Sequence, residues 1–344
     1  MKDGKIATDK RIIYFDILNI LACISVIALH CNGCFWSFSY ERYWVTSVII
    51  ESVCYWAVPI FIMLSGANLI DYREKYDTKT FFEKRIKRTV IPFIFWSLFG
   101  ILVYRGIGQF IHIKDTFTLI TNTKIVPIYW FFPIIFSAYL SIPVINAIPQ
   151  AKRKQVFEYM IAIGFMTISF LPFFCKFIGI DFNESLSFPI TGGYILYVIL
   201  GYYFSHFDIS QKCRIIIYSM GVLGLILHAG GTYFLSINQG SINQLLKGYL
   251  NFPTIFYSTA IFIGFRYHHW EMDIKCKRIL KKISSASLGI YLIHIYFVDK
   301  LPIILHFSNK ALEWRTIGVL IVWGICLAIV FVMKKIPLLK NIVP

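Results

Sequence analysis

The segment YFDILNILACISVIALH, residues 14–30, is a run of apolar side chains whose strongly polar members are Asp16, Asn19 and His30. On an α-helix, at about 100° per residue, Asn19 lies about 20° from His30 around the axis and Asp16 about 40°. One polar stripe therefore runs along an otherwise apolar helix. The flanking residues extend the run to 12–32, enough to cross a hydrocarbon layer, which takes about 20 residues. Ionisable groups in such a helix are costly and turn toward a cavity or a partner. The segment reads as a first transmembrane helix and as one wall of a polar interior. His30 is then either a hydrogen-bonded packing residue or a functional one.

The same pattern recurs along the chain. Apolar stretches of about 17 to 25 residues occur at 12–32, 44–70, 89–109, 128–148, 155–175, 190–206, 214–236, 250–267, 285–307 and 314–334. They predict an all-α membrane protein, about ten helices in one bundle. A 344-residue chain with 57% hydrophobic and 18% aromatic residues and a mean hydropathy of +0.66 is no water-soluble globule. The opening MKDGKIATDKR is too polar for a secretory signal and no small-residue cleavage site follows, so the first helix is expected to stay. No internal repeat or linker appears, so residues 1–344 are expected to form one membrane domain, and the end at Pro344 predicts no appended soluble domain.

The net charge of +16 comes from 34 basic and 18 acidic residues. Such an excess fits nucleic acid only if the charges lie together in water. Assigned to alternate sides of ten spans, 25 of the 34 basic residues fall on one side, the exceptions being Arg42, Arg105, Lys114, Lys124, Lys176, Lys247, Lys300, Lys310 and Arg315. This bias places both termini in the cytoplasm. A multi-pass protein of the plasma membrane is expected, with the lipid bilayer and not nucleic acid as its surroundings.

HCNGC, residues 30–34, puts His30 at the outer end of the first span beside Cys31 and Cys34. The order is not the C-x-x-C-H of haem attachment, and no fourth ligand appears at zinc-site spacing. No metal is expected, and the cysteines read as membrane-edge residues or a local disulfide. The second span carries Glu51 in its outer third, Pro59 near its middle and Ser65–Gly66 near its inner end. Pro and Gly there predict a distorted helix whose backbone meets a cavity. In the basic loop that follows, Lys84, Arg85, Lys87 and Arg88 run into the third span. They serve topology and lipid headgroups, or Arg85 and Arg88, one helical turn apart, clamp a phosphorylated donor.

Together these stretches resemble the acyltransferase-3 family of integral-membrane acyltransferases, which includes O-antigen and peptidoglycan O-acetyltransferases. The resemblance spans nearly the whole chain: YFDILNILACISVIALH, AVPIFIMLSG, FFEKRIKRTVIPFIFWS, YWFFPIIFSAYLSIPVI, GGYILYVILGYYF and SLGIYLIH. It implies ten helices that take an acyl group from cytosolic acyl-CoA, acetyl-CoA or another, and pass it to an acceptor on the outer side. The family's Arg-x10-His falls on Asn19 and His30, so the histidine is kept and the arginine is not. Its Arg-x-x-Arg element falls on Arg85 and Arg88, and its Trp-Phe segment on Trp130 and Phe131 without the usual preceding histidine.

The resemblance implies an O-acyltransferase, most simply an O-acetyltransferase acting on a cell-surface glycan or its lipid-linked precursor. A sugar hydroxyl must lose its proton as it attacks a thioester. His30 is expected to take that proton or to carry the acyl group itself. Glu51 either orients the His30 ring or faces water at headgroup level, and Asp16 joins the catalytic candidates through the polar stripe. Lys84, Arg85, Arg88, Asn19 and Ser65 are expected to bind the donor. His294, in GIYLIH, is either a satisfied packing residue or a direct participant. A transporter or flippase for a small acyl compound or a lipid-linked sugar is the rival reading, and a family member that binds CoA without turnover is a third.

Overall fold

The computed structural model describes residues 12–186 and 188–344. The N-terminal stretch, with the expectation that it lies in the cytoplasm, falls outside them. Among the described residues there are sixteen α-helices and no strand. In chain order they are α1 (Ile13–Cys31), α2 (Arg42–Cys54), α3 (Ala57–Leu69), α4 (Thr78–Arg85), α5 (Ile91–Arg105), α6 (Ile113–Thr121), α7 (Phe131–Asn146) and α8 (Gln150–Phe165). There follow α9 (Leu171–Phe177), α10 (Ile195–His206), α11 (Gln211–Ile226), α12 (Thr232–Gln239), α13 (Phe252–Tyr267), α14 (Ile274–Ser284), α15 (Ser287–Ile304) and α16 (Val319–Lys335).

Several of these join end to end, giving eight helical runs long and apolar enough to cross a membrane. The stretches 190–206 and 250–267 behave differently. They yield only the 12-residue α10 and the 16-residue α13. A 12-residue helix rises about 18 Å, short of a hydrocarbon core of about 30 Å. It is tolerated because nine of its residues are buried by protein, and non-helical backbone at membrane depth is viable when protein covers it.

The centre of the bundle is α1, which packs against α2, α3, α13, α14, α15 and α16. A helix enclosed on so many sides turns its polar stripe to protein or cavity rather than to lipid. Beside it α3 and α10 cross in near backbone contact. A Cβ added to Gly66 would lie 1.9 Å from the Val198 carbonyl oxygen, and one added to Gly201 1.9 Å from that of Met63. Only glycine permits this approach, the small-residue packing that membrane helices use in place of a hydrophobic driving force. Gly66, expected to open backbone to a cavity, instead serves this crossing.

Prolines shape the remaining runs. α2 ends at Cys54 and α3 begins at Ala57, because Pro59 cannot donate to the Tyr55 carbonyl four residues back. This is the distortion expected of the second span. The π-helical turns Ile86–Val90 and Met166–Phe170 each end two residues before a proline, Pro92 and Pro172. A proline ring pushes away the carbonyl four residues earlier, and a widened turn absorbs that displacement. The helix over residues 78–105 therefore continues through its proline and carries Arg85 and Arg88 up to the bundle.

Candidate active site

At the end of the bundle that holds the basic helix α14, a cavity of about 700 Å³ opens between α1, α3, α4, α7 and α15. Its lining includes Asp16, Asn19, Ser65, Arg85 and Arg88, five of the residues expected to act. The approach to Arg85 is built by α4. Asp77 caps that helix by accepting from the Thr80 N–H at 3.0 Å, and hydrogen bonds from Thr80 hold its carboxyl below the usual range. The Arg85 guanidinium stacks over Phe81 and Tyr139, 5.7 and 5.6 Å from their ring centres, and its buried Nε has no protein partner. Lys84, also expected at the donor site, does not line the cavity; its ammonium sits 3.7 Å over the Tyr76 ring.

Asn19 occupies the position of the resembled family's arginine as an interhelical clamp. Its Nδ2 donates to Ser284 O at 2.8 Å, Ser284 Oγ at 2.9 Å and Ser287 Oγ at 3.1 Å, fastening α1 to the start of α15. Ser65 Oγ donates back to Phe61 O at 2.9 Å, which leaves its lone pairs on the cavity wall.

A second cavity, of about 450 Å³, lies at the other end and brings His30 and Glu51 together. Its walls include Trp36, Tyr55, Trp130 and Tyr249. Tyr249 stacks on Tyr55 at 4.0 Å and on Trp130 at 5.3 Å, so three rings form a continuous platform. Glu51 does not face water: it is 3% exposed, and Lys247 Nζ lies 3.1 Å from its Oε1. Lys247 and Asn32 both approach the carboxylate, and its buried Oε2 has no aligned hydrogen bond. The ammonium also rests over Tyr55 at 4.1 Å and Trp36 at 4.5 Å. Burial pulls the Lys247 amine below the ordinary lysine range, opposed by the Glu51 carboxylate.

The loop between α12 and α13 supplies both Lys247 and Tyr249, and sequence reading passed over it. Its signal was a lysine between apolar residues in LLKGYL on the side where basic residues are few, opposite a carboxylate within a span. Asn32, from the HCNGC motif, was also passed over. It is fully buried, donates to Ser47 O at 2.9 Å and meets Arg315 Nη1 at 3.4 Å. Arg315 in turn donates to Tyr43 O and Thr46 Oγ1, which ties the C-terminal end of α1 to the N-terminal ends of α2 and α16. Cys31 and Cys34 are unbridged, Cys31 being buried in the core.

The two cavities share Phe61, Phe131 and Tyr291 in their linings. Phe131 lies 6.2 Å from Phe61 and 5.7 Å from Tyr291, both edge to face. The Tyr291 hydroxyl is tied to the Ile128 carbonyl. An aromatic waist thus separates a cavity of mixed charge, lined by Lys75, Arg85 and Arg88 and by Asp16, Asp71 and Glu74, from one that carries a histidine. Asp16 lies on the side of Arg85 and Arg88. The 14 helical steps from it to His30 rise about 21 Å, so the stripe is real but Asp16 cannot act in one constellation with His30. His294 of α15 lies beside His30, its ring centre 5.2 Å away.

A family model described as an acyltransferase domain, Acyl_transf_3, matches residues 12–333. No curated protein sequence and no solved structure matches the chain.

Proposed function

Because the chain belongs to the acyltransferase-3 family, we propose that it moves an acyl group, in the simplest case acetyl, from acyl-CoA in the cavity of Arg85 and Arg88 to a sugar hydroxyl in the aromatic one. The observation that carries this reading is the pair of cavities abutting at one aromatic waist. A CoA thioester has phosphates that suit Arg85 and Arg88 and an arm long enough to bring its acyl end to the waist. Stacked rings with a buried carboxylate suit a pyranose, whose apolar face lies on the rings while a hydroxyl donates to Glu51 Oε2. His30 takes the proton of the attacking hydroxyl as the carbon–oxygen bond forms and the carbon–sulfur bond breaks, then returns it to the CoA thiolate. In the two-step version His30 first receives the acyl group as an acyl-imidazole. Neither route uses a metal.

In this reading the basic end faces the cytoplasm, where acyl-CoA is found, and the acceptor is a cell-surface glycan or its lipid-linked precursor at the plasma membrane. The test is mass spectrometry of surface glycans from cells with the wild-type protein, with His30→Ala and with neither. Wild type is expected to add an acyl mass that His30→Ala loses, with the mutant still inserted in the membrane. Equal acylation by the mutant refutes the role of His30. Passage of an acyl compound or a lipid-linked sugar without acyl-CoA consumption, in proteoliposomes, favours a transporter instead.

A further inference from the structure

His294 is fully buried on α15 and its two ring nitrogens differ. Nδ1 lies 2.7 Å from the Tyr291 carbonyl oxygen and 3.3 Å from that of Ile290. Carbonyl oxygens only accept, so Nδ1 carries the proton and Nε2 presents a bare lone pair. Nε2 is buried and has no partner. A side chain kept only to fill space would leave no acceptor unsatisfied there, since leucine or phenylalanine packs without that cost. The ring 5.2 Å away, centre to centre, is His30. At that separation two imidazoles bring facing nitrogens to hydrogen-bond distance with a small rotation of either ring.

His30 lacks what His294 offers. No hydrogen bond holds its ring among the described residues, and it lies at the wall of the outer cavity. A general base needs one bare nitrogen toward the hydroxyl and its other N–H held elsewhere, or the ring presents the wrong tautomer to the substrate. We infer that His294 is the positioning residue of the base, its Nε2 accepting the N–H of His30 so that the other His30 nitrogen faces the acceptor hydroxyl. When His30 takes up the hydroxyl proton its charge strengthens this hydrogen bond. The proton stays on His30 until the CoA thiolate leaves and receives it, and His294 never changes protonation. The inference rests on the proposed role of His30.

The test compares His294→Leu, His294→Gln and His294→Asn with wild type and His30→Ala in detergent, measuring kcat, KM for both substrates and thermal midpoint. A glutamine carbonyl reaches the place of Nε2, whereas asparagine reaches only that of Nδ1. Leu and Asn are expected to lower kcat about a hundredfold with both KM values within about twofold, and Gln to recover at least about tenfold of the loss. The KM values and the Gln–Asn difference separate positioning from packing, and that difference decides the matter if Leu fails to fold. Wild-type kcat in His294→Leu, or equal activity in Gln and Asn, overturns the inference while leaving His30 in place. Full activity of His30→Ala removes the reading beneath it.

Discussion

At the scale of single residues, Glu51 and Lys247 show how the bundle accommodates charge. Neither belongs in an apolar interior alone, since desolvation of either ion costs several kcal/mol, but each offsets the other. Lys247 further spreads its charge over the Tyr55 and Trp36 ring faces. Lys247→Met is expected to cost about 3 kcal/mol by leaving a buried carboxylate unpaired. The double variant Lys247→Met with Glu51→Gln should regain most of that stability, yet lose acceptor binding because the carboxylate is gone. Thermal midpoints in detergent measure the first effect and KM for the glycan the second. Equal stability of the single and double variants would mean that the pair is not coupled. Glu51 was legible as a polar residue in a span, but its partner was not, because 196 residues separate the two in sequence and a loop carries the second.

Among the elements, the run over residues 78–105 matters most to the donor side. Arg85 and Arg88 read in sequence as a loop, because charged residues and a proline punctuate the segment. A π-helical turn joins them to α5 instead, so they project from a continuous helix. Charge-assisted hydrogen bonds contribute about 1.5–3 kcal/mol each, so Arg85→Gln with Arg88→Gln should weaken acyl-CoA binding at least about tenfold. Lys at both positions should restore only part, because the planar fork is lost. Calorimetric titration of purified protein with acyl-CoA measures this, and an unchanged Kd would leave the two arginines to topology and lipid. α10 is the converse case: its apolar run reads as a full span, but the helix is only 12 residues long and is buried against α3.

Across the whole molecule, the waist of Phe61, Phe131 and Tyr291 lies where the two cavities meet. If an acyl group must thread these rings, their size selects short chains. Phe61→Ala is expected to raise kcat/KM for butyryl-CoA relative to acetyl-CoA about tenfold, the discrimination that a change of a few methylenes in a pocket supports. An unchanged ratio, with acetyl transfer intact, would place the acyl path elsewhere.

The sequence by itself determined the class of fold and the list of chemical groups. Hydropathy and the length of the runs are local properties, and so is the stripe of Asp16, Asn19 and His30, since helical periodicity is fixed by the backbone. Only the tertiary structure decided which groups lie together. It divided the stripe between two cavities, because 21 Å of helix is longer than any side chain reaches. It turned Asn19 into a clamp on Ser284 and Ser287, and paired Glu51 with Lys247 and His30 with His294. Partners of that kind come from distant segments, whose approach depends on how helices cross. Crossings are set by contacts such as Gly66 against Val198, which leave no periodic mark in the chain.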